Sequence, residues 1–261
     1  MVIIKLTVNQ KNATLIIKEN LMNTWMLIYV ISLILIVPTL IYGLIAQRKT
    51  IATFESLAEK TTGCNISASE LARVLLDNAG AKDVKVVKID GRLTDCYDPR
   101  YKVVKLSSTT FSSFSVAALG VAAHEVGHAI QHHQKNALFR FRSFLIPVMN
   151  FISRAYIPLI LAGSLLSFAR LIPTIGFGIC WASVIFYGMS LILNFATLGV
   201  ERDASKKALA KMKETSYFTD AEIHYSKQVL DAAIETYIAS FTTSLLYFLR
   251  FLSMFVLINK D

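Results

Sequence analysis

Twenty-two consecutive residues, Trp25 to Ala46, carry no charge, and the run stops abruptly at Gln47, Arg48 and Lys49. That length crosses the hydrocarbon core of a bilayer as a helix, and a helix is what a lipid-facing segment must form to satisfy its own backbone. A cleaved signal peptide would have a shorter apolar stretch, and Leu44-Ile45-Ala46 lacks the small-x-small exit that a signal peptidase needs. The run therefore reads as a membrane anchor. Composition agrees, with 54% hydrophobic and 17% charged residues among 261; such a chain is neither disordered nor an ordinary soluble domain. Its three cysteines, Cys64, Cys96 and Cys180, are odd in number and far apart, which offers no disulfide framework and no CxxC knuckle.

Charge divides the rest. Residues 1–24 form an N-terminal tail with three lysines, and 25–46 are the first span. From Gln47 to Arg142 there are 14 Lys and Arg with 9 Asp and Glu, so 47–142 is expected to be a water-facing α+β region. Within it Ser67 and Glu70 form a capping box, Ile66 staples onto Leu71, and Gly80 ends that helix. Val84–Ile89 and Tyr101–Leu106 are expected strands, a hairpin or a pair in one sheet, with a turn at Asp98-Pro99. Ser112 to Gln134 reads as a helix whose small residues, Gly120 and Gly127 among them, allow close packing.

Two apolar runs, Phe144–Ala169 and Ile172–Thr197, make residues 143–197 a membrane hairpin; 198–237 is again charged and helical, and 238–261 holds a fourth span from Ile238 to Ile258. The expected fold is a mainly α integral membrane protein with about four transmembrane helices and a small cytoplasmic α+β element. Of the 27 Lys and Arg, 20 lie in the two water-facing segments and 5 on the opposite side. The positive-inside rule thus places both segments in the cytoplasm and accounts for the net charge of +9 without nucleic acid.

One motif carries chemistry: His124-Glu125-Val126-Gly127-His128. Histidines four apart share a helix face and can bind one ion, most suitably zinc, while Glu125 is placed to take a proton from a water the metal has acidified. A metzincin would place histidine at 134 and glycine at 131; both are glutamine. His132 lies about 12 Å along the helix from His124, too far to share the ion. The third ligand is expected on a later helix, where Glu201 is best placed because the membrane hairpin returns the chain to the same side; Asp203, His224 and Glu222 are the alternatives. A di-iron site would need a second Glu-x-x-His, and nucleotide or serine chemistry a P-loop or a Gly-x-Ser-x-Gly; the sequence has none of these.

The strings Leu93-Thr94-Asp95-Cys96-Tyr97-Asp98-Pro99-Arg100, Ala118 to Gln131 around the motif, and Val200-Glu201-Arg202-Asp203-Ala204-Ser205 together resemble the membrane-bound neutral zinc metallopeptidase family of the YugP type. The resemblance runs from about Trp25 to the end. It implies a zinc-dependent membrane peptidase with His124, His128 and Glu201 as zinc ligands and Glu125 as catalytic base, in the manner of gluzincins. Two positions depart from the pattern: Cys96 stands where a histidine is expected, and Ser205 where related enzymes place an aspartate that supports a zinc histidine.

The expected activity is endopeptidase cleavage of unfolded or membrane-near polypeptides at the cytoplasmic face of the bilayer, with a possible role in membrane protein quality control. Tyr97, His224 and Tyr237 are the candidates for stabilising the oxyanion. The strand Tyr101–Leu106 is a candidate free edge along which an extended substrate aligns. The competing readings are a metal-binding scaffold without turnover and a channel or transporter built on the intramembrane Arg154 and Arg250.

Overall fold

The structure, a computed structural model, describes residues 2–168 and 173–258, with side chains at 16–152, 154, 178–179 and 181–257. Six helices and three strands follow in order: α1 Val2–Ala58, α2 Ala68–Asn78, β1 Lys85–Ile89, β2 Cys96–Asp98, β3 Val103–Ser107, α3 Val116–His133, α4 Ala137–Phe168, α5 Pro173–Glu214 and α6 Asp220–Ile258. Among the described residues three helical stretches are long and apolar enough to cross a membrane: Ile16–Ala58, Trp181–Glu214 and Asp220–Leu257. These contain the expected first span, Trp25 to Ala46, and overlap the expected third and fourth, Ile172–Thr197 and Ile238–Ile258. The second, Phe144–Ala169, lies on α4, but most of its side chains, and Arg170, fall outside the described residues.

The chain divides into two compact units. One comprises Met1–Leu40, Met149–Ile192 and Thr242–Asp261. Its α1 segment presents Leu27, Ile34 and Val37 outward, as a lipid-facing helix does. Inside it Tyr187 stacks on Phe251 and Tyr247 at ring distances of 4.8 and 5.2 Å, and the Arg250 guanidinium lies 6.0 Å from the Tyr29 ring. The expected boundary at Trp25 does not interrupt α1, which runs back to Val2. Residues 2–24 contain no proline or glycine, so nothing stops a helix once nucleated.

The second unit, Ile41–Val148 and Leu193–Phe241, holds most of the sequence expected to face water. The capping box forms as expected: the Ser67 hydroxyl accepts from the Glu70 amide, and Glu70 accepts from the Ser67 amide at 2.8 Å. Gly80, with φ +77°, ends α2, and the amide of Ala81 bonds back to the Leu76 carbonyl. Leu71, Leu75 and Leu76 of α2 meet Leu119 and Val126 of α3 in the main core, all fully buried and each contributing roughly 1.5–3 kcal/mol.

The sheet corrects one expectation. β1 and β3 pair in parallel, so they are not a hairpin; the Asp98-Pro99 turn instead joins β3 to the short β2, antiparallel, giving the order β1-β3-β2. Strand Tyr101–Leu106 is thus paired on both sides, and the free-edge reading of that segment is overturned. Three residues of β2 with no apolar alternation, Cys96-Tyr97-Asp98, left no strand signal.

α3 starts later than expected, at Val116, because Ser115 caps it by accepting from the Ala118 amide at 3.2 Å. Its glycines are where neighbours come closest. A Cβ on Gly120 would lie 3.1 Å from the Ser226 Cβ of α6, and one on Gly127 only 2.4 Å from the Ala204 carbonyl oxygen of α5. The second overlap is with backbone, which no rotamer change relieves. Gly127→Ala is therefore expected to lower unfolding stability by about 1–3 kcal/mol and to weaken zinc binding with it. Chemical denaturation and metal titration of the same preparation check this; an alanine variant as stable as the parent would mean the α3–α5 approach is looser than described.

Candidate metal centre

Helical periodicity puts His124, His128 and Gln131 on one face of α3, and Glu201 with Ser205 on one face of α5. The contact at Gly127 brings these faces together. Nε2 of His124 lies 3.0 Å, and Nε2 of His128 3.4 Å, from the same oxygen, Oε2 of Glu201. One donor atom from each of the three residues lies within 4.8 Å of the other two. Ligands about a tetrahedral zinc stand about 3.3 Å apart, so this donor set fits that ion.

The opposite ring nitrogens are already engaged. Nδ1 of His128 is 3.0 Å from Oε1 of Gln131, a fully buried side chain whose amide nitrogen donates to the Val200 carbonyl and to Asp203, both at 2.8 Å. With its NH2 so occupied, Gln131 presents oxygen to His128, which must then be protonated at Nδ1 and offer the Nε2 lone pair inward. Nδ1 of His124 is 3.1 Å from the Ser205 hydroxyl, so the serine departure still occupies the supporting position. Asp203, an alternative ligand in the sequence, supports His128 through Gln131 and is itself held by Lys207 at 2.7 Å.

Sequence reasoning missed Gln131 and Arg142. Gln131 could have been found, since it lies three residues past His128 on the same face. Arg142, on α4, looked like one more cation flanking a span. Its Nη2 lies 3.1 Å from Oε1 of Glu201, leaving Oε2 to the histidines, and its Nε is buried with no partner among the described residues.

The remaining candidates are dispersed. His224 is exposed beside Gln228, and Glu222 caps α6 by accepting from the Thr219 amide at 2.8 Å. His132 bonds the Tyr97 hydroxyl at 2.8 Å. Tyr237 lines the cavity with His124, Glu125 and Glu201, and so does Cys96. Burial, then the nearby Glu125, pushes the Cys96 thiol up.

Glu125 is buried at 8% exposure beside the donor set. Burial pushes its carboxyl up to about 7, against the pull of neighbouring His124. The cavity it faces, about 360 Å3, is lined by β2, α3, α4, α5 and α6.

A family model described as "Putative neutral zinc metallopeptidase" matches residues 32–256. The "Putative membrane protease YugP" of Bacillus subtilis (strain 168) is 36% identical over 211 residues, covering 81% of this chain and 90% of the relative. No solved structure matches. The chain belongs to this neutral zinc metallopeptidase family.

Two outcomes follow from the geometry. A dication beside Glu125 favours its carboxylate, so zinc binding should expel about one proton from it at pH 6, falling towards zero by pH 8. Calorimetry in buffers of different ionisation enthalpy reads this as the difference between wild type and Glu125→Gln; equal proton counts at pH 6 would show Glu125 already ionised. Arg142→Gln should weaken zinc binding about 10–100-fold by releasing the outer oxygen of Glu201. Competition with a chelating dye measures it, and an unchanged affinity would assign Arg142 to the fold alone.

Proposed function

We propose that this chain is a membrane-integrated zinc endopeptidase of gluzincin type, with His124, His128 and Glu201 holding the metal and Glu125 acting as general base. One observation carries the reading. Two imidazoles, each engaged at Nδ1, turn their Nε2 atoms to one carboxylate oxygen beside a buried glutamate in an open cavity. Bound zinc would supply Lewis acidity, polarising a peptide carbonyl and acidifying water.

The chain's own groups perform the proton work. Glu125, whose carboxyl burial raises and a bound dication would lower, is placed to take a proton from the attacking water and return it to the departing amide nitrogen. Tyr237 lines the same cavity, its hydroxyl donating to Glu201, and would have to turn from that carboxylate to meet the developing oxyanion; the Tyr97 hydroxyl is engaged by His132. β2, at the end of the sheet order, lines the cavity through Cys96 and Tyr97. An extended polypeptide added along it would bring a main-chain carbonyl to the metal with little dependence on side chains. Unfolded or membrane-near segments are the substrates such a site accepts, which suits membrane protein quality control. The asymmetry of 20 against 5 basic residues supports a multi-pass protein with its active site on the cytoplasmic side.

The transporter reading loses its motive at Arg250, whose charge already has the Tyr29 ring as partner. The scaffold reading is decided by turnover. Glu125→Gln should retain about one zinc per chain and lose cleavage of an unfolded membrane-protein substrate by about 100-fold or more. Elemental analysis and a gel-based cleavage assay on the same samples check both. Wild-type protein with full zinc and no cleavage of any unfolded substrate would favour the scaffold.

A further inference from the structure

Two cavities open on the donor set from different sides, sharing Asp95, His124, Glu125, Glu201 and Tyr237. The larger, on the β2 side, carries Arg100 and Arg142. The other, about 230 Å3, has a wall of a different kind: Phe54 of α1, Val121 of α3, and Val229, Leu230, Ala233 and Ile234 of α6. Phe54, Val229 and Leu230 are at most 5% exposed, so this wall belongs to the packed interior rather than to a surface groove. No lysine or arginine lines it. We infer that this recess is the side-chain pocket of the peptidase, selecting a large apolar residue next to the scissile bond.

The inference rests on the proposed endopeptidase reading and adds the substrate's chemistry to it. A peptide carbonyl delivered to the donor set has a side chain on either flank; the α1–α6 side is walled mainly by aliphatic groups and carries no cation, whereas the β2 side sets Phe139, Ile146 and Pro147 beside Arg100 and Arg142. An apolar cavity of about 150 Å3 accommodates a benzene ring, so this recess admits leucine, methionine or phenylalanine. An acidic side chain there would meet Glu125 and Glu201 with no cation to pair it, and a lysine would have to leave water for aliphatic walls. The sequence placement is consistent: Phe54 follows the charge-free run ending at Ala46 by eight residues, and Ala233 precedes the run beginning at Ile238 by five. A pocket lined by helix segments that adjoin two apolar runs suits residues drawn from the edge of a membrane segment.

The test uses the full chain, zinc-loaded, in lipid nanodiscs with a mixed-sequence peptide library, and cleaved bonds are identified by mass spectrometry. One position flanking the cleaved bond should favour leucine, methionine or phenylalanine over alanine by about 10–200-fold, the range a hydrophobic pocket supplies. Ala233→Phe, which fills the recess, should move that preference to glycine and alanine. Ile234→Ala, which enlarges it, should move it to phenylalanine and tryptophan. Binding gives a second readout: zinc-loaded Glu125→Gln should hold a fluorescent leucine peptide at least tenfold more tightly than its alanine counterpart by anisotropy, and Ala233→Phe should abolish the difference. A flat profile, a profile unmoved in folded, zinc-binding variants, or equal binding of the two peptides overturns the pocket. Selective binding without cleavage leaves the pocket standing and removes the endopeptidase reading; neither cleavage nor binding removes both.

Discussion

Two helix backbones meet at the centre of this protein with no side chain between them, and the candidate site depends on that contact. At Gly127 the backbone of α3 is so near the Ala204 carbonyl of α5 that any Cβ would overlap it. Glu201 and Ser205 flank Ala204 on α5, and His124 and His128 flank Gly127 on α3. Bringing the two small residues together therefore brings the four polar ones together. Sequence-level reading treats the two positions inside HExxH as free; here one of them sets the distance at which imidazole and carboxylate can share an ion.

The polar groups gathered there are costly to bury, and their arrangement follows from that cost. Glu201 is 2% exposed, with the Arg142 guanidinium on one oxygen and the two imidazole Nε2 atoms within 3.4 Å of the other. Gln131, fully buried, spends both halves of its amide: nitrogen on Val200 and Asp203, oxygen on His128. A buried amide that can satisfy its hydrogens only one way fixes the histidine tautomer facing it. Packing alone would be served better by apolar residues at these positions, since buried ion pairs seldom repay their desolvation. Their presence in the midst of an aliphatic core is what marks the site as functional.

How much of this was legible in the sequence follows the range of each interaction. The Ser67–Glu70 box and the Gly80 stop are made within a few residues, and both were readable. So was the HExxH face, and Glu201 could be chosen because a membrane hairpin returns the chain to the side it left. The parallel pairing of β1 with β3 could not be read, because the strand that changes the topology, β2, is three residues without alternation. Nor could Arg142: before a span, an arginine that fixes topology and one that turns inward to a carboxylate have the same sequence context. The Ser205 departure turned out smaller than its chemistry suggested, for a hydroxyl at that distance still reaches His124 Nδ1.

The placement of the polar residues along their helices bears on what the site can receive. Arg142 precedes the apolar run from Phe144 by two residues, Glu201 follows the run ending at Thr197 by four, and Tyr237 immediately precedes the run from Ile238. At 1.5 Å per residue, all three lie within about 6 Å of an apolar run along their own helices. A hydrolytic centre needs water, yet a buried Glu125 holds a proton more strongly than an exposed carboxylate does, and helix segments adjoining apolar runs supply both conditions. An extended chain leaving a bilayer meets the same boundary, with unpaired backbone groups and an apolar side chain still to be placed. Under the proposed function, those are the two needs that the outer side of β2 and the α1–α6 recess would meet.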